Sequence, residues 1–152
     1  MKKVGLTLGK FAPFHKGHQL LVETALSETD VVYVLIYDCP ETISIPLKVR
    51  ADWIRQIYPS VKVIEGMDGP KESGKDPRIM KSQEDYIKKM IPETVTHFYS
   101  SEWYGRHVSK ALGAIDRRVD QKRTIFPVSG TLVRSNPAIY RKYLHPIVYQ
   151  DI

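Results

Sequence analysis

Seven consecutive apolar residues, Val31–Tyr37 (VVYVLIY), constrain the fold more than any other stretch. A run without polar alternation reads as a strand covered on both faces, the habit of a parallel sheet with helices on either side. The rest of the chain supplies those helices. Val4–Leu8 reads as a first buried strand, followed by a Gly/Pro/His loop and a helix over about Gly17–Glu28, with Leu20, Leu21, Thr24 and Ala25 on one face. After Val31–Tyr37 come a loop, a helix over Pro46–Ile57 and a short strand at Val61–Ile64. A helix over Ile79–Met90, a strand at Thr96–Ser100 and a helix around Trp103–Leu112 follow. Arg123–Val128 reads as the last strand, and Ser129 opens a short helix that stops before Asn136-Pro137. The alternation predicts an α/β fold: a Rossmann-like open parallel sheet with helices on both faces, one domain over 1–152. Ligands of such sheets bind beyond the carboxyl ends of the strands.

Composition narrows the function classes. With 152 residues, 42% of them hydrophobic, the chain has the profile of one globular domain. No stretch approaches the roughly 20 apolar residues of a membrane helix, and the first residues run into a strand pattern rather than a signal sequence. Cys39 is the single cysteine, which excludes an internal disulfide framework and a thiolate metal cluster. The expectation is a cytoplasmic protein without a membrane partner. The net charge of +6 is uneven: residues 1–68 hold 8 Lys+Arg against 8 Asp+Glu, while 69–152 hold 15 against 9. That surplus points to an anionic partner or to a solvated basic face. Met67–Pro77 (MDGPKESGKDP), nearly free of apolar residues, reads as a surface loop and a candidate lid.

The loop after the first strand, Gly9-Lys10-Phe11-Ala12-Pro13-Phe14-His15-Lys16-Gly17-His18, carries the strongest chemical signal. Gly9 permits close backbone approach, and Pro13 stiffens the turn. His15 and His18, three apart at a helix entrance, can present both imidazoles to one side. Free N–H groups and the dipole of that helix make an anion site, and two imidazole donors there suit a phosphate gaining charge in a transition state. A metal pair, an N-cap or loop packing would also explain two nearby histidines; a G-x-G-x-x-G fingerprint is absent.

This decapeptide resembles the H-x-G-H signature of the nucleotidylyltransferase superfamily, in the form G-[KR]-F-x-P-x-H-x-G-H found in nicotinamide mononucleotide (NMN) adenylyltransferases. A second segment, Val128-Ser129-Gly130-Thr131-Leu132-Val133-Arg134, resembles the superfamily's [IV]-S-x-T-x-[IV]-R signature. Tyr99-Ser100-Ser101-Glu102 and Val119-Asp120-Gln121-Lys122-Arg123-Thr124 resemble segments of the NMN adenylyltransferases fused to a ribosylnicotinamide kinase, as does the tail from Asn136 to Pro146. Arg50 and Trp53 match an Arg-x-x-Trp of that subgroup. The subgroup's Trp pair on the helix after the mobile loop is replaced by Met80 and Gln83, and Trp103 or Tyr104 would have to supply a ring from elsewhere.

The resemblance implies transfer of an adenylyl group from ATP to a phosphate acceptor, foremost NMN, giving NAD and pyrophosphate. It places His15, His18, Lys10 and Arg134 in catalysis. Nucleotide binding falls to Gly9, Phe11, Gly17, Ser101, Arg123, Ser129, Thr131 and Arg134, with Ser129, Thr131 and Arg134 on the β- and γ-phosphates. Acceptor binding falls to Arg50, Trp53, Met80, Gln83 and Trp103. Mg2+ would be held mainly by the substrate phosphates, so no carboxylate cluster is expected. Another phosphorylated acceptor, CTP in place of ATP, a catalytically silent nucleotide sensor and a homo-oligomeric state stay open. A nucleic-acid partner is disfavoured because acids interleave the surplus positive charge.

Overall fold

A computed structural model describes residues 1–152, and its five-stranded sheet is parallel throughout. The elements run β1 (Val4–Gly9), α1 (Lys16–Glu28), β2 (Val31–Tyr37), α2 (Leu47–Ile57), β3 (Lys62–Gly66), α3 (Pro77–Met90), β4 (His97–Ser100), α4 (Gly105–Leu112) and β5 (Ile115–Arg118). A short α5 (Gly130–Ser135), a 3-10 turn (Arg141–Tyr143) and α6 (Pro146–Tyr149) close the chain. The strand order is β3-β2-β1-β4-β5, so the chain winds outward from β1 through β2 and β3, then returns to β4 on the other side of β1. Crossovers of one hand therefore put α1 and α2 on one face and α3 and α4 on the other. The reversal between β1 and β4 opens the crevice where ligands of such sheets bind.

Two apolar layers follow from the two-residue period of the strands. Val32, Val34 and Ile36 of β2 join Leu21, Val22 and Ala25 of α1 and Ala51, Trp53 and Ile54 of α2. Tyr33 and Leu35 face the other way, with Leu6, Ile87 of α3 and Val108 of α4. The tail seals the first layer: Leu144 and Val148 are buried in it, and Asp151 accepts a hydrogen bond from Trp53 Nε1 at 2.8 Å. Helix starts are chemically marked. Asp76 caps α3 through the Arg78 N–H and is followed by Pro77, and Ser129 caps α5 through the Leu132 N–H.

The last strand differs from the expectation. It is Ile115–Arg118 (IDRR), not Arg123–Val128. Helix α4 ends at Gly113 in the left-handed conformation (φ 66°), which reverses the chain at once and lays the next residues beside β4. As an edge strand β5 needs no apolar run, and Arg117 and Arg118 are satisfied by Glu28 and Asp116. Arg123–Val128 is held as a loop because the Asp120 carboxylate takes the backbone N–H groups of Thr124, Ile125 and Phe126, donors a strand would spend on a neighbour.

Candidate active site

A cavity of about 650 Å³ lies at the carboxyl ends of β1, β2 and β4, where the strand order reverses. Its wall includes Gly9, Lys10, Phe11, His15, Gly17, His18, Ser101, Arg123, Ser129, Thr131 and Arg134. Segments from the two ends of the chain thus meet at one place: Arg134 Nη1 donates to the Ala12 carbonyl at 2.5 Å. Met80, Gln83 and Trp103, expected at the acceptor, line it as well.

The two histidines form a closed arrangement. His15 is the N-cap of α1: its Nδ1 accepts the N–H groups of Gly17 at 3.0 Å and His18 at 3.4 Å. His18, three residues on, accepts the His15 N–H in turn on its own Nδ1 at 3.2 Å. This is a capping box made of imidazoles, where carboxylates and hydroxyls are usual. The N-cap reading of these histidines and the phosphate reading are compatible, because capping uses Nδ1 only. An Nδ1 that accepts carries no proton, so each neutral ring keeps its proton on Nε2. The rings stack at 3.7 Å between centroids and 17° between planes. Gly17 makes room: a Cβ there would stand 2.9 Å from His15 Cε1.

Burial, with the nearby Arg123 charge adding to it, lowers the His15 pKa to about 4. Burial, its stacked neighbour and Arg123 push His18 well below the usual imidazole range. Both rings are therefore neutral near pH 7 and serve as Nε2–H donors, not as cations. The positive charge comes from other groups. Arg123 reaches the site tied to Glu102 at 2.8 Å and to the Val128 carbonyl at 2.9 Å. Lys10, exposed on the cavity wall, takes no part in any ion pair of the structure.

Backbone strain concentrates here. Phe11, Cys39, Asp68, Asp120 and Arg123 have positive φ between 46° and 53°, and all of them line the cavity. Each such residue costs of order 1–3 kcal/mol and persists only where surrounding structure over-determines it. Four separate loops are thus bent around one volume.

Arg50 and Trp53, expected at the acceptor, do not line the cavity. Trp53 is core, with its N–H bound to Asp151. Arg50 is buried on α2 and turned toward the strand ends, donating to the carbonyls of Lys10 (2.7 Å), Tyr37 (2.8 Å), Asp38 (2.7 Å) and Ile45 (2.9 Å). An Arg in a helical apolar pattern gives no sign that it points inward. Here it ties the ends of β1 and β2, from which the Gly9–His18 loop and the Asp38–Thr42 segment depart. The loop after Tyr37, where strand-end reasoning places ligands, lines the cavity through Asp38–Thr42, whereas nothing in the sequence points to His107, which also lines it.

Residues 68–74 line the cavity beside Gln83. Tyr86 Oη donates to the Met67 carbonyl at 2.8 Å, Gln83 Nε2 to the Glu72 carbonyl at 2.8 Å, and Lys71 pairs with Glu41 at 2.6 Å. Lys75 sits 5.6 Å from the Trp103 ring centre. Gln83, expected to touch the acceptor directly, lines the cavity but spends its amide N–H on the loop, while its Oε1 accepts from Tyr37 Oη at 3.4 Å.

Comparisons with known proteins agree with this geometry. Residues 8–71 match the family described as citrate lyase ligase C-terminal domain. The trifunctional NAD biosynthesis/regulator protein NadR of Escherichia coli is 28% identical over 94% of this chain and 39% of its own length. A probable nicotinate-nucleotide adenylyltransferase of a Nitratiruptor species is 26% identical over 99% of this chain and 96% of its own. Among solved structures, NadR in complex with NAD and AMP-PNP superposes with a TM-score of 0.67 at 22% identity, over 97% of this chain and 46% of that one. The chain spans about two fifths of the length of the NadR relatives it matches. The likeness to the solved structure is one of fold, and the relatives say what the chain is similar to. The relatives just described carry names from NAD biosynthesis.

Proposed function

We propose that this chain transfers the adenylyl group of ATP to the phosphate of a pyridine mononucleotide, foremost NMN, giving NAD and pyrophosphate. The observation that carries the reading is the His15–His18 box: two neutral imidazoles whose Nδ1 atoms are spent on the backbone, leaving two Nε2–H donors at a helix N-terminus within a cavity at the strand ends. An acceptor phosphate oxygen attacks the α-phosphorus, the bond to the bridging oxygen breaks, and pyrophosphate leaves. Little covalent help is needed, so positioning and charge stabilisation supply the rate. Nε2–H of His15 and His18 donate to the α-phosphate oxygens as charge grows there, Lys10 neutralises them, and Arg134 with Thr131 and Ser129 holds the leaving pyrophosphate. Arg123 and Ser101 serve the nucleotide from the β4 side, and Gly9, Phe11 and Gly17 shape the floor.

No group of three or more acidic, His or Cys residues could hold a metal ion in the chain. The proposed ion is Mg2+, brought by the triphosphate and completed by water. One structural neighbour, a bifunctional NMN adenylyltransferase/ADP ribose pyrophosphatase from Francisella tularensis, is complexed with AMP and an Mn ion. No helix is long and apolar enough to cross a membrane.

The test is pyrophosphate release from ATP and Mg2+ across a panel of acceptors with NMN first. Release with NMN, and NAD as the second product, is expected. Tight ATP binding with no release for any acceptor would favour a silent nucleotide sensor instead.

A further inference from the structure

Helices α3 and α4 meet at one wall of the cavity through a pair of residues that adenylyl transfer leaves unused. His107 on α4 lines the cavity, and Glu84 on α3 stands behind it, with Nδ1 of the ring 2.8 Å from Glu84 Oε2. Both are largely covered, with side chains 17% and 21% exposed. A carboxylate only accepts, so the proton of this hydrogen bond belongs to His107 Nδ1. This inverts the tautomer of His15 and His18, whose Nδ1 atoms accept. With that proton on Nδ1, an unprotonated Nε2 offers a lone pair and is the one nitrogen left to meet a ligand. Trp103 stacks on the same imidazole at 5.6 Å and 30°, fixing its plane.

The charge of the neighbouring wall points the same way. Asp38, Asp68 and Glu72 line the wall proposed for the acceptor without an ion pair, against Lys75 over the Trp103 ring and Lys71, which is committed to Glu41. An acceptor ring placed against this wall meets a hydrogen-bond acceptor and surplus negative charge. A primary amide can donate an N–H to Nε2. A carboxylate at the same ring position offers only lone pairs and adds a like charge.

We propose that His107, oriented by Glu84, is the residue that makes the site specific for a pyridine nucleotide carrying a ring carboxamide over one carrying a ring carboxylate. The inference rests on the adenylyl-transfer reading above and assigns the discrimination within it. The experiment measures kcat/KM for NMN and for nicotinate mononucleotide at about pH 8, where an ordinary imidazole is neutral. The unaltered protein is expected to favour the amide by about tenfold or more. His107→Phe keeps the stack on Trp103 and removes the acceptor: the amide loses about tenfold, the acid changes little, and the ratio collapses while the KM for ATP is unchanged. Glu84→Gln, a partly exposed change that spares the fold, frees the tautomer and lowers the ratio by a smaller factor. Equal losses for both acceptors, an unchanged ratio in both variants, or an unaltered protein that prefers the acid would overturn the assignment while leaving adenylyl transfer standing. Absence of pyrophosphate release with every acceptor would instead overturn both.

Discussion

The two ends of the cavity are built on different principles. At the end proposed for the phosphates, the backbone holds the side chains: His15 and His18 are locked by the N–H groups they cap, and Arg134 by the Ala12 carbonyl. At the end proposed for the acceptor, side chains from β2, the 67–75 segment, α3 and α4 come together, and much of their capacity is spent on holding the loop. The first end is set by local sequence and suits a ligand part common to all nucleotides. The second is set by long-range contacts, the place where a fold can change acceptors without disturbing the phosphates.

The sharpest way to break that contrast is His18→Ala. It removes an Nε2–H donor and half of the capping box. By analogy with oxyanion-hole deletions, kcat should fall roughly 100–1,000-fold with every acceptor. Stability should fall by only about 1 kcal/mol, the usual worth of a cap. Steady-state kinetics beside a denaturant titration separates the two. Near-normal turnover would sink the phosphate-end assignment.

The same lock makes the phosphate end sensitive to acid. His15 has a folded pKa of about 4 against an ordinary 6.5. Between those values the unfolded chain binds a proton that the folded chain refuses, so stability falls as the pH drops from 6.5 toward 4 and is fully present above 6.5. From about pH 7.5 to about pH 5 the loss from this one group is about 2 kcal/mol. His15→Asn, which keeps a capping side chain without titrating, should flatten the curve by that amount in denaturant titrations at the two pH values. An unchanged slope would mean that His15 is not the buried neutral ring described.

Legibility in the sequence followed the same divide. The apolar run of β2 and the motif loops at Gly9–His18 and Ser129–Arg134 stand out, because their work is done by neighbours in sequence. β5 does not: IDRR has one apolar residue in four, as an edge strand can, while the strand-like Thr124-Ile125-Phe126 is captured by Asp120. Arg50 misleads because nothing local says that its guanidinium turns inward to four carbonyls. His107 and Glu84 look like ordinary polar positions on amphipathic helices until α3 and α4 are packed together.

A milder probe of the phosphate end is Arg134→Lys. The fork that spans the Ala12 carbonyl and Thr131 Oγ1 (2.5 and 3.4 Å) becomes a point charge, and planar recognition of a phosphate is lost with it. The KM for ATP should rise about tenfold, as for one charge-assisted hydrogen bond, with the KM for the acceptor nearly constant. An unchanged KM for ATP would place the pyrophosphate elsewhere.

The smallest effect belongs to the acceptor end. Lys71→Met removes the Lys71–Glu41 pair, whose side chains are 71% and 49% exposed, so its contribution is small and falls with salt. Tyr86 and Gln83 still hold the loop. The expected outcome is roughly a two- to threefold rise in the acceptor KM at low salt that fades at high salt, with ATP parameters untouched. A shift in the KM for ATP of the same size would mean that the loop reaches the triphosphate, and the division of the cavity into two separately built ends would fail. A change confined to the acceptor, erased by salt, would show that this end is assembled from weak exposed contacts, each open to replacement while the capped histidines stay fixed.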